Sequence, residues 1–252
     1  MLGPQDIARI LGVLSSADGV LIVGGQALNL WAERYRSKAA ELEALAPFTS
    51  KDLDYFGHRA AAYKLAAAIG GKIKTPTLGD ATSSTAIVTA NVDGHEVLID
   101  FIGHVIGLKA KDLETAVEMV LPARVDGQAT TFTLPVMHPV AVLKSRVANV
   151  MTPGLQRTDD VALRQMRAAF IVAREYLREQ LDAGDLKEVT ACYRSVFEWA
   201  RSDIHGREVD RVHGLDPMEL IVPDARLDGR YCGITLVNMH REIARRRQSR
   251  RE

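Results

Sequence analysis

The sequence predicts an α+β fold: a small mixed β-sheet with flanking helices, followed by a helical half. Three observations carry this expectation. β-rich runs broken by glycine turns are confined to the first half, an Asp-Gly turn marks a hairpin between two of them, and from Pro139 onward apolar residues recur at helical spacing. The expected boundary falls near Val125, leaving residues 1–125 as the α/β core and 126–252 as a mainly helical domain with a basic tail.

Taken in order, Ile7, Ile10, Leu11 and Leu14 suit a short helix, and Ser15 to Gly19 breaks it. Val20 to Val23 reads as a strand that ends in Gly24-Gly25, after which Ala27, Leu28, Leu30 and Trp31 resume helical spacing. The run Trp31 to Ala46 is rich in Ala, Glu, Arg and Lys, so the helix is expected to continue until Pro47 stops it. Asp52 to Gly57 alternates as a half-buried strand does, and a helix from His58 to Ile69 stops at Gly70-Gly71. Thr85 to Ala90 and His95 to Ile102 form the hairpin around Asp93-Gly94. Gly127 to Pro135 suggests one more strand, at an edge. Helices are expected over 140–150, 159–181, 185–204 and 229–247.

Composition excludes several classes. The chain of 252 residues is 47% hydrophobic and 25% charged, the balance of a globular protein and not of a fibrous or disordered one. Lys plus Arg total 32 and Asp plus Glu total 32, so any nucleic-acid surface must be local, as in the arginine-rich end RRRQSRRE. Cys192 and Cys232 form no CxxC, which argues against a disulfide framework and a cysteine zinc site, and no HExxH occurs. No apolar run approaches the ~20 residues of a membrane span. The expectation is a cytoplasmic protein with no membrane partner.

The chemistry is expected to gather on the strands. Asp52 and Asp54, two apart on a strand, project from one face while Leu53 and Tyr55 take the other. Paired carboxylates repel unless a cation neutralises them, which suits a hard ion such as Mg²⁺ or Mn²⁺. Asp100 sits within the most hydrophobic strand, sharing a face with Leu98 and Ile102, where an uncompensated charge is costly. Pairing of its strand with the Asp52 strand would cluster three carboxylates able to hold divalent ions for phosphoryl transfer. Gly24 and Gly25, between strand and helix, would let a triphosphate approach backbone N–H groups at the helix start.

Strand, Gly-Gly, helix, Asp-x-Asp and a third Asp on a later strand: this order resembles the nucleotidyltransferase superfamily related to DNA polymerase β. The wording VGGQALNLW, SKDLDYFG and VLIDF is most similar to its minimal branch, including the AbiEii-type toxins of abortive-infection and toxin–antitoxin systems. The resemblance covers about residues 19 to 104 and extends weakly to about residue 165. It implies Asp52, Asp54 and Asp100 as metal-binding catalytic residues, an NTP such as ATP as donor, and an RNA end, a protein hydroxyl or a small molecule as acceptor. It also implies an antitoxin partner, and it assigns donor-binding roles to Lys144, in HPVAVLKSRVANV, and Asp160, in RTDDVAL. Residue chemistry alone reads Lys144 as a helix-surface lysine, and Asp159 and Asp160 as first-turn acids favoured by the helix dipole after a Thr158 cap. The chain departs from the pattern in two respects: Gln26 replaces the serine that commonly follows the glycine, and the stretch between the glycines and Asp52 is longer. A protein that keeps the fold as a binding module without the reaction is the alternative.

Overall fold

A computed structural model describes residues 13–14, 18–47, 53–77, 79–80, 82–92, 94–125, 128–154 and 159–249. The first expected helix falls almost wholly outside them, as do Asp52, Gly127, Thr158, Arg250 and Arg251.

The described chain is a mixed sheet with helices. Strands β1 (Leu21–Ile22), β2 (Leu53–Phe56), β3 (Lys72–Lys74), β4 (Ser84–Val92), β5 (His95–Ile102), β6 (Ala116–Val125) and β7 (Gln128–Met137) form one seven-stranded sheet in the order β3-β4-β5-β2-β1-β7-β6. β2 runs parallel to β5 and β1 parallel to β7, and the other pairs are antiparallel. The β4–β5 hairpin turns at Gly94, whose positive φ of 83° suits glycine and whose N–H donates to Asn91 Oδ1.

Helices α1 (Gly24–Tyr35) and α3 (Arg59–Ile69) pack against the sheet, while α2 (Ala40–Leu45) and α5 (Pro139–Met151) pack mainly on other helices and the short α4 (Ala110–Leu113) follows β5. From there α6 (Asp160–Ala183), α7 (Leu186–Ser202), α8 (Ile204–His213) and α9 (Val237–Gln248) continue the chain, with a 3₁₀ turn at Pro217–Leu220 and a π-helical stretch at Tyr231–Leu236 before α9. No helix among the described residues is long and apolar enough to cross a membrane.

Four elements differ from expectation. β7 is not an edge strand, because it lies between β1 and β6 and carries the sheet to Met137, so the β6–β7 hairpin straddles the expected boundary. The edge is β6, where Pro122 is tolerated because an outer strand does not need every N–H for pairing. The helix expected to run to Ala46 breaks between Tyr35 and Ala40. No local breaker causes this: Arg34, Tyr35 and Lys38 all bond Glu179 of α6, and Arg36 pairs with Glu43 of α2, so tertiary contacts override propensity. The helix expected from Asp185 to Ile204 ends at Ser202, and α8 follows as a separate element.

The core joins sheet and helices through α1, which is buried nearly all round. Trp31 of α1 donates its indole N–H to the Met137 carbonyl at the end of β7, 2.9 Å away, and packs edge-on to Tyr176 of α6. Tyr55 and Phe101 stack at 5.3 Å on the buried face of β2 and β5.

Candidate functional site

The end of β1 and the start of β2 are tied by Val23 N–H donating to the Asp54 carbonyl at 3.0 Å. The next residue, Gly24, opens α1 with φ +68°, and a Cβ built there would lie 2.2 Å from Asp54 Oδ2. Glycine is therefore required twice, by conformation and by the carboxylate against it. That position places Asp54 beside the first turn of α1, where the partial positive charge of the helix favours an anion.

Asp100 is the register partner of Asp54 across the parallel β2–β5 pair, so the two share a face about one strand spacing, ~4.8 Å, apart. The Ser84 hydroxyl donates to Asp100 Oδ2 at 2.9 Å. Both carboxylates are half-buried, and their face leads to Leu98, 41% exposed, whereas Leu53, Tyr55, Ile99 and Phe101 point the other way into the core. Gly24, Asp54 and Asp100 thus converge, Asp100 through the expected pairing of its strand with the Asp54 strand and Gly24 through the turn into α1. Asp52 lies outside the described residues.

Lys144 and Asp160 are placed elsewhere. Lys144 is buried on α5, donating to Asp112 Oδ1 and to Ser195 Oγ, each at 2.9 Å, which corrects its reading as a surface lysine. Burial works to raise the Asp112 carboxyl, but the hydrogen bonds from Lys144 and the Lys109 N–H outweigh it and hold it below its usual range. Asp160 is exposed at the first position of α6. The cap of that helix is Asp159 in place of Thr158, its Oδ1 accepting from Ala162 N–H at 2.8 Å.

Lys144 lines a cavity of about 670 Å³ together with Asp112, Ser195, His138, Glu188 and Cys192, and none of Gly24, Asp54 and Asp100 borders it. One carboxylate oxygen organises its inner wall. Glu188 Oε1 accepts from His138 Nε2 at 2.8 Å, Tyr176 Oη at 3.1 Å and Cys192 Sγ at 3.2 Å. The His138 contact, aided by Cys192 and Tyr176 and opposed by burial, lowers the Glu188 carboxyl to about 2, while burial and Glu188 push the Cys192 thiol up. His138 Nδ1 accepts from Val140 N–H at 3.1 Å, capping α5, so the neutral ring carries its proton on Nε2. These residues escaped the sequence reading because His138 and Glu188 lie 50 positions apart. The one local signal was Glu188 and Cys192, four apart on one face of α7.

The arginine-rich end also needs correction. α9 continues to Gln248, and Arg247 forms a two-point pair with Asp216 at 2.8 and 2.6 Å and reaches Asp210 at 3.3 Å. Arg246 pairs with Glu242, which leaves Arg245 as an exposed cation of this group within the described residues. Compared with known proteins, the chain matches no family model, no curated protein and no solved structure.

Proposed function

We propose that the protein transfers a nucleotide from an NTP to an acceptor in a reaction that depends on Mg²⁺ or Mn²⁺, in a nucleotidyltransferase core followed by a helical domain. The observation that carries this reading is the contact of Gly24 with Asp54 and the registration of Asp54 with Asp100. Two carboxylates side by side on adjacent strands supply the hard oxygen donors a divalent ion takes. The missing Cβ at Gly24 leaves their approach open where a side chain would fill it. The residues therefore fit such an ion, with Asp54 and Asp100, and Asp52 by resemblance, as its ligands. When bound, the ion supplies neutralisation of triphosphate charge.

The chain's own groups do the rest. Backbone at Gly24 and Gly25 admits the donor phosphates to the start of α1. Asp100, oriented by the Ser84 hydroxyl, takes the proton of the acceptor hydroxyl as that oxygen attacks the α-phosphorus and pyrophosphate leaves. Lys144 and Asp160 enter through the resemblance alone, and Lys144 would have to exchange its Asp112 contact for a phosphate. The acceptor classes are an RNA end, a protein hydroxyl or a small molecule, in a toxin–antitoxin or phage-defence setting within the cytoplasm.

One observation favours the second reading, a nucleotide-binding module without the reaction. Gln26, at the position of the family's serine, is 5% exposed and packed inward, so it offers no hydroxyl to a phosphate. Incubation with Mg²⁺, each labelled NTP and a cell extract separates the two. Label left on an acceptor by wild type and absent with Asp54→Asn supports transfer, and no label from wild type overturns it.

A further inference from the structure

We infer that His138 Nε2, Glu188 Oε1 and Cys192 Sγ form a binding site for one transition-metal ion of the zinc class, separate from the carboxylate pair on the sheet. Their mutual distances are 2.8 Å for His138–Glu188, 3.2 Å for Cys192–Glu188 and 3.7 Å for Cys192–His138. A tetrahedral ion with bonds of about 2.0–2.3 Å needs ligand separations of about 3.3–3.6 Å. The triangle is close to that size: the His138–Glu188 edge has to open by about 0.5 Å and the Cys192–Glu188 edge by about 0.3 Å on this tetrahedral basis.

The setting suits the ion. His138 and Cys192 are 7% and 3% exposed, and two of the three ligands are held one turn apart on α7 while the third is fixed where β7 meets α5. Tyr176 Oη stays on Glu188 as an outer partner, and its ring packs edge-on to His138 at 4.9 Å. All three ligands border the cavity, so a fourth position opens toward it and can take water or a ligand. The nitrogen, sulfur and carboxylate set selects zinc, cobalt or similar ions over Mg²⁺, which prefers oxygen alone.

The Cys192 S–H bond is replaced by a sulfur–metal bond and its proton goes to solvent. The His138 proton moves from Nε2 to Nδ1, so the ring stays neutral and Val140 N–H gives up its acceptor. One thiolate and one carboxylate offset the dipositive ion, and one proton is released for each ion bound.

The test is titration of the chelator-treated full chain with Co²⁺ in excess Mg²⁺. A thiolate-to-cobalt charge-transfer band with intense tetrahedral visible bands should saturate at one equivalent and be displaced by Zn²⁺. The band should vanish in Cys192→Ala, persist in Cys232→Ser and in Asp54→Asn, and require at least about tenfold more metal in His138→Gln and Glu188→Gln. Absence of the band in wild type, or its loss in Cys232→Ser with retention in Cys192→Ala, overturns the site. If Cys192→Ala fails to fold by circular dichroism, proton release by wild type decides, with one proton per ion supporting the site and none overturning it. Because these readouts do not involve nucleotide, they stand or fall apart from the transfer reaction.

Discussion

The Cα of Gly24 faces the Asp54 carboxylate so closely that a methyl group there would overlap Asp54 Oδ2, 2.2 Å away. Gly24→Ala must therefore displace the carboxylate and hold an L-residue at φ +68°. The left-handed conformation alone costs about 1–2 kcal/mol. Chemical denaturation should show a loss of about that size, and transfer should fall further than stability does, since the displaced group is the proposed metal ligand. A Gly24→Ala variant with wild-type transfer would separate Asp54 from the reaction.

Asp54 and Asp100 stand in register on one face, so two like charges lie side by side with a place for a cation between them. Asp54→Asn and Asp100→Asn should each remove most transfer, leave the fold intact and keep or raise the melting temperature. Calorimetry with each NTP should show Mg²⁺ tightening binding to wild type and losing that effect in both variants. Equal affinity with chelator for every nucleotide would favour the binding-module reading.

The carboxylate pair was legible because strand parity is a short-range rule: Asp54 and Tyr55 had to take opposite faces once β2 formed, and Asp93-Gly94 announced the neighbouring hairpin. What could not be read came from distant contacts. The break after Tyr35 depends on Glu179, more than a hundred residues on, and Lys144 leaves the surface because Asp112 and Ser195 meet it from two other helices. Pro122 concealed β6, since proline counts against a strand until the order of the sheet shows it to be the edge. His138, Glu188 and Cys192 carry no joint spacing, so only the fold brings them to one wall.

Glu188 gives stability a defined acid limb. Its carboxyl is lowered from the ordinary 4.5 to about 2, chiefly by His138, so the folded state holds its charged form more strongly than the unfolded chain does. A depressed acid contributes fully above its unfolded value, and the contribution disappears as pH falls through the folded value. Denaturation followed between pH ~5 and ~2 should show stability declining across this window, by about 1–2 kcal/mol from this residue once its partial solvent exposure is discounted. Glu188→Gln should flatten that decline. An unchanged slope in the variant would assign the acid sensitivity to other carboxylates.

The end of the chain divides by what each arginine touches. Arg247 is held by Asp216 and Asp210: burial works to raise the Asp216 carboxyl, yet it ends below its usual range because Arg247 and the Met218 N–H stabilise its charge. Arg247→Ala should therefore loosen α9 from the Pro217–Leu220 turn and cost about 1–3 kcal/mol, measured by denaturation, with no selective effect on nucleotide. Arg245 and Arg246 are more exposed and suit phosphate contacts that carry no sequence information. If the acceptor is RNA, Arg245→Ala with Arg246→Ala should weaken RNA binding more at low salt than at high salt, as fewer counterions are released, while Mg²⁺–NTP binding stays unchanged. Deleting residues 244 to 252 would mix the two effects, because it also removes Arg247, so the paired substitution is the cleaner measurement. RNA affinity that is the same in wild type and the double variant across a salt series would take these arginines out of acceptor binding and move the acceptor toward a protein or small molecule.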